Sequence, residues 1–269
     1  MIGGAGALAL LFFFVVLPIL RAPAPAKDPK LENAGPVAQV EPAIAKFIED
    51  VKASGQRPPR ILEPRASSIL RQATDRARLT EISNPIRLRS ACLNAEALLS
   101  VYRKGRNPAD KTNPNVIGPN GAITAYDPYY VEEVGMLAGF VVRCLGAQIA
   151  AMERQIDVAG ITALDNGQRG LVRELKLSAT AAFENLFVSA IPDNHAPEYR
   201  TYGQYSDAVF EYAIVFNRVL APQEREKLLD KTAKFIERVP PYLRETALRL
   251  PRTFSSSECI RMCKLPPAK

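Results

Sequence analysis

A single histidine, His195, and four cysteines, Cys92, Cys144, Cys259 and Cys263, bound the covalent chemistry open to this chain. One imidazole excludes a histidine-rich metal centre, an HExxH zinc motif and the Glu-x-x-His pairs of di-iron bundles. The sequence has no GxGxxG, no GxxxxGK followed by Ser or Thr, and no GxSxG, so phosphate cradles and a nucleophile elbow lack their local signatures. Cys259 and Cys263 stand four apart, a weak zinc signal with no second ligand pair nearby. No metal and no cofactor are expected. In an oxidising compartment the even count of cysteines suggests two bridges, most simply Cys259 to Cys263 and Cys92 to Cys144, out of three possible pairings. Buried free thiols are the plainer reading of Cys92 and Cys144, because both fall on apolar helical faces and cysteine behaves as a small core residue.

One constellation survives this filter. Six of the nine tyrosines lie in or beside two segments rich in turn residues: Tyr126 within residues 105–127 with Tyr129 and Tyr130 just after it, and Tyr199, Tyr202 and Tyr205 within 191–205. Glu132 and Glu133 follow the first group, where a helix N-terminus favours acids; His195, Glu198 and Arg200 accompany the second. Tyrosine supplies rigid, amphipathic contact area suited to peptides or sugars, so this set is the candidate binding site. The structural alternative is that the tyrosines cover bundle ends and satisfy loop backbone. Acid–base work by His195 with Glu133 would need a contact that nothing in the sequence spacing supplies, and no catalytic residue is assigned.

The elements that must position these residues read as helices. Pro42 suits a first turn and Gly55 ends the helix AIAKFIEDVKAS. Pro64 to about Ile82 and, after Asn84-Pro85, Ile86 to Lys104 form an arginine-rich pair; in the second, Leu88, Cys92, Ala95 and Leu99 line one stripe. Residues 105–127 hold a small hairpin, VIG-PNG-AIT, inside a long loop of the kind that is often functional. From Pro128 to about Ile156 the chain reads as one buried helix with Arg143 as its single charge between Val134 and Met152. Its Gly135-x-x-x-Gly139 permits close helix approach, and a core helix is preferred to a membrane span. A break at Asp157–Gly160 leads to a second long helix, about Leu164 to Ala190, with Leu164, Leu171, Leu175, Ala182 and Leu186 as a heptad-like seam and Thr162 with Asp165 as its capping box. A short connection predicts that the two are antiparallel. Helices over 205–220, from Pro222 with Leu228, Leu229, Phe235 and Ile236 on one face, and after Pro240-Pro241 complete the domain. The tail from Pro251 is expected to lie loosely on the surface.

The fold class that follows is all-α, a bundle of about seven helices around a central antiparallel helix hairpin. Strands are disfavoured by few valine–isoleucine alternations and no tryptophan, and 47% hydrophobic with 23% charged residues exclude wholesale disorder. The divisions are residues 1–20 as a targeting segment, 21–42 as a Pro/Ala-rich tether, 43–250 as the helical domain and 251–269 as a cysteine-containing tail.

Ile2 to Leu20 are uncharged and are followed by Arg21, a stretch long enough for an export signal or a transmembrane anchor. Ala24 and Ala26 fit an A-x-A cleavage site. Against cleavage, no basic residue precedes the apolar run, and Arg21, Lys27 and Lys30 following an uncleaved anchor would hold the domain on the cytoplasmic side. Export to the envelope or periplasm is the preferred reading, and an inner-membrane anchor with a cytoplasmic domain is the alternative. The net charge of +7 resides between Arg57 and Arg106, where eleven basic residues face four acids. Arg57, Arg60, Arg65, Arg71, Arg76, Arg78, Arg87 and Arg89 therefore form a candidate surface for anionic lipid, the alternative being solvated helix faces. Nucleic acid is not expected, since Tyr102 is the only aromatic there. Function reads as membrane-targeted binding or scaffolding in the cell envelope, with a protein or envelope polymer as partner. An envelope hydrolase at the same tyrosine-rich end and an accessory subunit of a membrane complex are the alternatives.

Overall fold

The structure, a computed structural model, describes residues 39–104, 128–188, 196–239, 241–256 and 262–264. The targeting segment, most of the tether, the 105–127 loop with its expected hairpin, His195 and Cys259 lie outside the described residues. Among those described, regular structure is entirely helical.

Proline and short polar caps set most helix starts. Helix α1 (Pro42–Ser54) carries proline in its first turn and ends at Gly55, whose φ of 63° is the left-handed cap that glycine adopts without Cβ strain. Helices α2 (Pro64–Ala73) and α3 (Ala77–Glu81) occupy the stretch expected to be one helix. The break falls at Thr74 to Arg76, where the Thr74 hydroxyl donates to Leu70 O at 2.7 Å and Asp75 Oδ1 accepts from Ala77 N at 3.0 Å. These polar side chains offer the backbone partners outside the helical ladder. Helix α4 (Pro85–Lys104) begins after Asn84, whose Oδ1 accepts from the N–H groups of Ile86 and Arg87 at 2.9 and 3.1 Å, the usual N-cap service.

A single 3-10 turn, Pro128–Tyr130, opens into α5 (Val131–Ala159), which is buried on nearly every side. Gly160, at φ 81°, ends it. Among the described residues this is the one helix long and apolar enough to cross a membrane, and 72% of its most apolar stretch is buried within the protein; a core helix has the same length and composition. Arg143, the single charge between Val134 and Met152, meets Glu211 at 2.8 Å. Helix α6 (Asn166–Val188) starts with a reciprocal cap one turn later than expected: Asp165 Oδ1 accepts from Gln168 N at 2.8 Å, and Gln168 Oε1 accepts from Asp165 N at 2.9 Å. The box is thus Asp165 with Gln168, not Thr162 with Asp165.

Helices α7 (Ala196–Glu211) and α8 (Ala213–Val219) replace the single helix expected over 205–220, with Tyr212 at the join. Helix α9 (Pro222–Arg238) is opened by Pro222 and by Glu224, which accepts from Ala221 N at 2.8 Å. Helices α10 (Pro241–Ala247) and α11 (Leu250–Ser255) follow, then a 3-10 turn at Met262–Lys264. Of the tail's described residues, Phe254 and Met262 are buried rather than loose on the surface. Phe254 packs edge-on against Phe183 at 4.8 Å and lies 6.4 Å from Phe187, which in turn meets Phe235 at 5.0 Å. Aromatic pairs of this kind add to plain area burial, and they bind α11 to α6 and α9.

One continuous core links these helices. Helix α5 makes its widest contacts with α4 and α7, and a smaller one with α6. Two features let the first two come close. On the α7 side, a Cβ at Gly139 would sit 2.7 Å from Gln204 O, and one at Gly146 would fall within the Tyr212 ring. On the α4 side, Cys92 and Cys144, both fully buried, are joined by a disulfide with Cα atoms 5.7 Å apart. The stripe of Leu88, Cys92, Ala95 and Leu99 is buried as its spacing predicts.

Candidate functional site

The described part of the tyrosine-rich end is organised around the protein's own chain. Between α1 and α2 runs Gln56-Arg57-Pro58-Pro59-Arg60-Ile61, and two prolines hold such a segment extended with carbonyls that no helix claims. Tyr130, wholly buried, donates its hydroxyl to Pro58 O at 2.8 Å; Tyr102, equally buried on α4, donates to Pro59 O at 2.8 Å. The two rings meet edge-to-face with centroids 5.4 Å apart. Burial, followed by the neighbouring Glu133 charge, pushes the Tyr102 hydroxyl pKa well up, so it is a committed donor.

Glu133 completes the clamp from the first turn of α5. Its Oε1 accepts from Arg60 Nε at 2.8 Å and from Ile61 N at 2.7 Å, while Oε2 is buried without a hydrogen-bond partner. Glu132, half exposed, reaches Arg60 Nη2 at 3.4 Å. Tyr129 is 47% exposed; the Arg60 guanidinium lies 4.7 Å from its ring centroid and that of Arg57 5.6 Å, within the cation–π range. Buried Tyr130 and Glu133 hold the strap, and among the described residues of this end Tyr129, Glu132 and Arg57 are at least partly exposed.

The remaining tyrosine-rich candidates divide. Tyr126 and His195 lie outside the described residues. Glu198, Tyr199, Arg200 and Tyr202 fall on α7, and their side chains are outside the described set. Tyr205 is buried and donates to Ala182 O at 3.0 Å, away from the strap and at the wall of a separate cleft. Its hydroxyl pKa is pushed up by burial.

That cleft, of about 260 Å³, opens between α4, α5 and α6. Leu99, Val142, Leu145, Leu175 and Ala182 give it an apolar floor, and Arg103, Gln148, Ser178, Asn185 and Tyr205 its polar wall. At one side Arg89 pairs with Glu96 and, at 3.3 Å, with Glu174. Arg103 has no such partner: its Nε is buried without an acceptor, and no described carboxylate pairs with it. Burial pulls the Arg103 pKa down.

The basic segment is largely occupied internally. Arg60 holds Glu133, Arg65 pairs with Asp50, Arg78 with Glu41, and Arg89 with Glu96 and Glu174, while Arg57 lies over Tyr129. Arg71, Arg76 and Arg87 are exposed, as are Arg57 and Arg65. Of the cysteines, Cys92 and Cys144 form the core bridge and are not free thiols, and Cys263 is also disulfide-bonded. No cluster of three metal-ligating side chains occurs among the described residues. No family model, curated protein or solved structure matches this chain.

Tyr102 and the Pro58-Pro59 strap escape a reading by motif because their partners are 43 and 72 residues away. The available signal was the Pro-Pro pair itself, lying between Gly55 and Pro64 in a stretch assigned to neither helix. Arg103 had no signal beyond membership of a charged helix end.

Proposed function

We propose that this chain is an exported helical binding or scaffolding protein of the cell envelope, targeted to the membrane by its Ile2–Leu20 segment. The observation that carries this reading is the fully buried Cys92–Cys144 bridge between two of the core's widest-contacting helices. Disulfides persist in oxidising compartments and are rare in a reducing cytosol. Partner contact is assigned to the exposed face of the clamp, Tyr129 with Arg57 and Glu132. Among the described arginines of the basic segment, Arg57, Arg65, Arg71, Arg76 and Arg87 are exposed, and this face is assigned to anionic lipid, with each basic residue contributing roughly 1 kcal/mol near such a surface. Helix α5 is read as the scaffold's spine, with α6 following it as an antiparallel neighbour after the short Gly160–Asp165 connection.

The hydrolase reading gains nothing from Glu133, whose Oε1 is committed to Arg60 and Ile61. Alkylation separates the export reading from a cytoplasmic domain. Full-length chain, expressed in intact bacteria, is acid-quenched, denatured without reductant and treated with a mass-tagged maleimide. Unmodified Cys92 and Cys144 are expected; modification of both in freshly quenched cells would place the domain on the cytoplasmic side and remove the reading.

A further inference from the structure

The cleft between α4, α5 and α6 is a second site, separate from the tyrosine-rich clamp and independent of the compartment the chain occupies. We propose that it binds a small monocarboxylate with an apolar body, its carboxylate held by the guanidinium of Arg103 and its body lying on the floor made by Leu99, Val142, Leu145 and Leu175.

Three observations fix the class of ligand. The first is a buried donor with no acceptor. Arg103 Nε is out of solvent and unpaired, and buried polar groups of native proteins are nearly always satisfied. Leaving one bare is unfavourable, more so where the group is charged. An incoming anion removes that cost, and the planar guanidinium fork matches a carboxylate's two oxygens.

The second is the charge balance of the lining. Arg89 is already shared between Glu96 and Glu174, which face the same cleft. These two carboxylates disfavour a dianion such as phosphate, and with Arg89 and Arg103 they make a lining of zero formal charge in which Arg103 is the cation with no carboxylate paired to it. Apart from charge, Gln148 Oε1 is buried without a donor, so a hydroxyl or amino group on the ligand has an acceptor there.

The third is size and polarity. The volume of about 260 Å³ is just below the roughly 300 Å³ at which sites for drug-sized ligands start. It admits a short aliphatic or aromatic acid and is too small for a two-chain lipid. Leu99, Leu175 and Ala182 are buried in the core around it, so the floor is fixed before a ligand arrives.

Equilibrium dialysis of the full-length chain in an uncharged maltoside detergent tests the proposal, with hexanoate and phenylacetate as probes and hexan-1-ol and inorganic phosphate as comparators. Saturable one-to-one binding of a carboxylate is expected, at least tenfold tighter than hexanol and tighter than phosphate. Arg103→Gln should weaken it at least tenfold and Arg103→Lys by less. Ser178→Leu, at the rim, should block the cleft and abolish binding without lowering the midpoint of thermal unfolding. Absence of saturable binding by both acids overturns the proposal, as does hexanol binding as tightly as hexanoate, phosphate binding more tightly, or Arg103→Gln binding unchanged. Should Arg103→Gln fail to fold, the acid-against-alcohol comparison on the unaltered chain and the Ser178→Leu result decide.

Discussion

Arg60 Nε donates to Glu133 Oε1 at 2.8 Å, and the Glu133 side chain is wholly out of solvent while that of Arg60 is 21% exposed. The pair closes the strap onto α5, with the Ile61 amide as a second donor to the same oxygen. A buried charge left by removal of its partner is strongly destabilising. Arg60→Met should therefore lower stability by about 2–3 kcal/mol, at the lower end for such pairs because Arg60 is partly hydrated. Glu132→Gln, at a 40% exposed side chain, should cost less than about 1 kcal/mol. Urea unfolding of both variants checks the ordering, and equal losses would show that the strap is not closed by Glu133.

The Cys92–Cys144 bridge closes a segment of 52 residues. On chain-entropy grounds a loop of that size contributes about 4 kcal/mol. Both sulfurs are buried, so reductant should act only as fast as the protein opens. The expected outcome is a large drop in the thermal midpoint for Cys92→Ala/Cys144→Ala. In the native protein, reduction should accelerate with urea; reduction by dithiothreitol at the rate of an exposed disulfide would contradict this.

Gly139 and Gly146 set the distance between α5 and α7. Gly139→Ala puts a methyl 2.7 Å from the Gln204 carbonyl oxygen, which is backbone and must move, whereas Gly146→Ala meets the Tyr212 ring. Overpacking of this kind costs about 1–3 kcal/mol. The Tyr212→Leu background should relieve Gly146→Ala but not Gly139→Ala. Gly170 on α6 has open space at its Cβ position, so Gly170→Ala should stabilise, by up to about 1 kcal/mol. Calorimetry on these variants distinguishes a packing constraint from loss of helix flexibility, which would move all glycine sites alike.

Much of the helix inventory was legible because its signals are local. Pro42, Pro64, Pro85, Pro222 and Pro241 each open a helix, Gly55 closes one, and Leu88, Cys92, Ala95 and Leu99 share a buried face. The breaks at Thr74–Arg76 and Tyr212 were not legible. The first depends on side chains turning to their own backbone, and the second on a ring lying against Gly146 of another helix. The docked tail shows the same limit: Phe254 sits in a polar stretch, and its burial depends on Phe183 and Phe187 some 70 residues earlier. The six tyrosines were found as a group by composition, yet Tyr130 and Tyr205 spend their hydroxyls on Pro58 and Ala182. Period and spacing locate a face, but the partner of that face is a property of the assembled bundle.

Glu41 gives the fold a defined acid response. From the cap position of α1 its carboxylate accepts hydrogen bonds from Arg78, from Gln72 Nε2 at 2.8 Å and from Asn94 Nδ2 at 2.9 Å, while its own N–H donates to Asn94 Oδ1 at 2.9 Å. One residue thus ties α1 to α2, α3 and α4. Burial alone would raise its pKa; the hydrogen bonds and charge of Arg78, with Gln72 and Asn94, outweigh that and hold it below the usual glutamate value. A carboxylate with a depressed folded-state pKa contributes stability that is fully present above its unfolded pKa and is lost as pH falls through the folded one. The stability difference between the unaltered chain and Glu41→Gln should therefore be constant from pH 7 to about pH 5.5. It should shrink as pH drops below the ordinary glutamate pKa of about 4.3. Urea titrations at several pH values provide the comparison. A difference that stays flat to pH 3, or grows on acidification, would mean that the ionised carboxylate is not what joins these four helices.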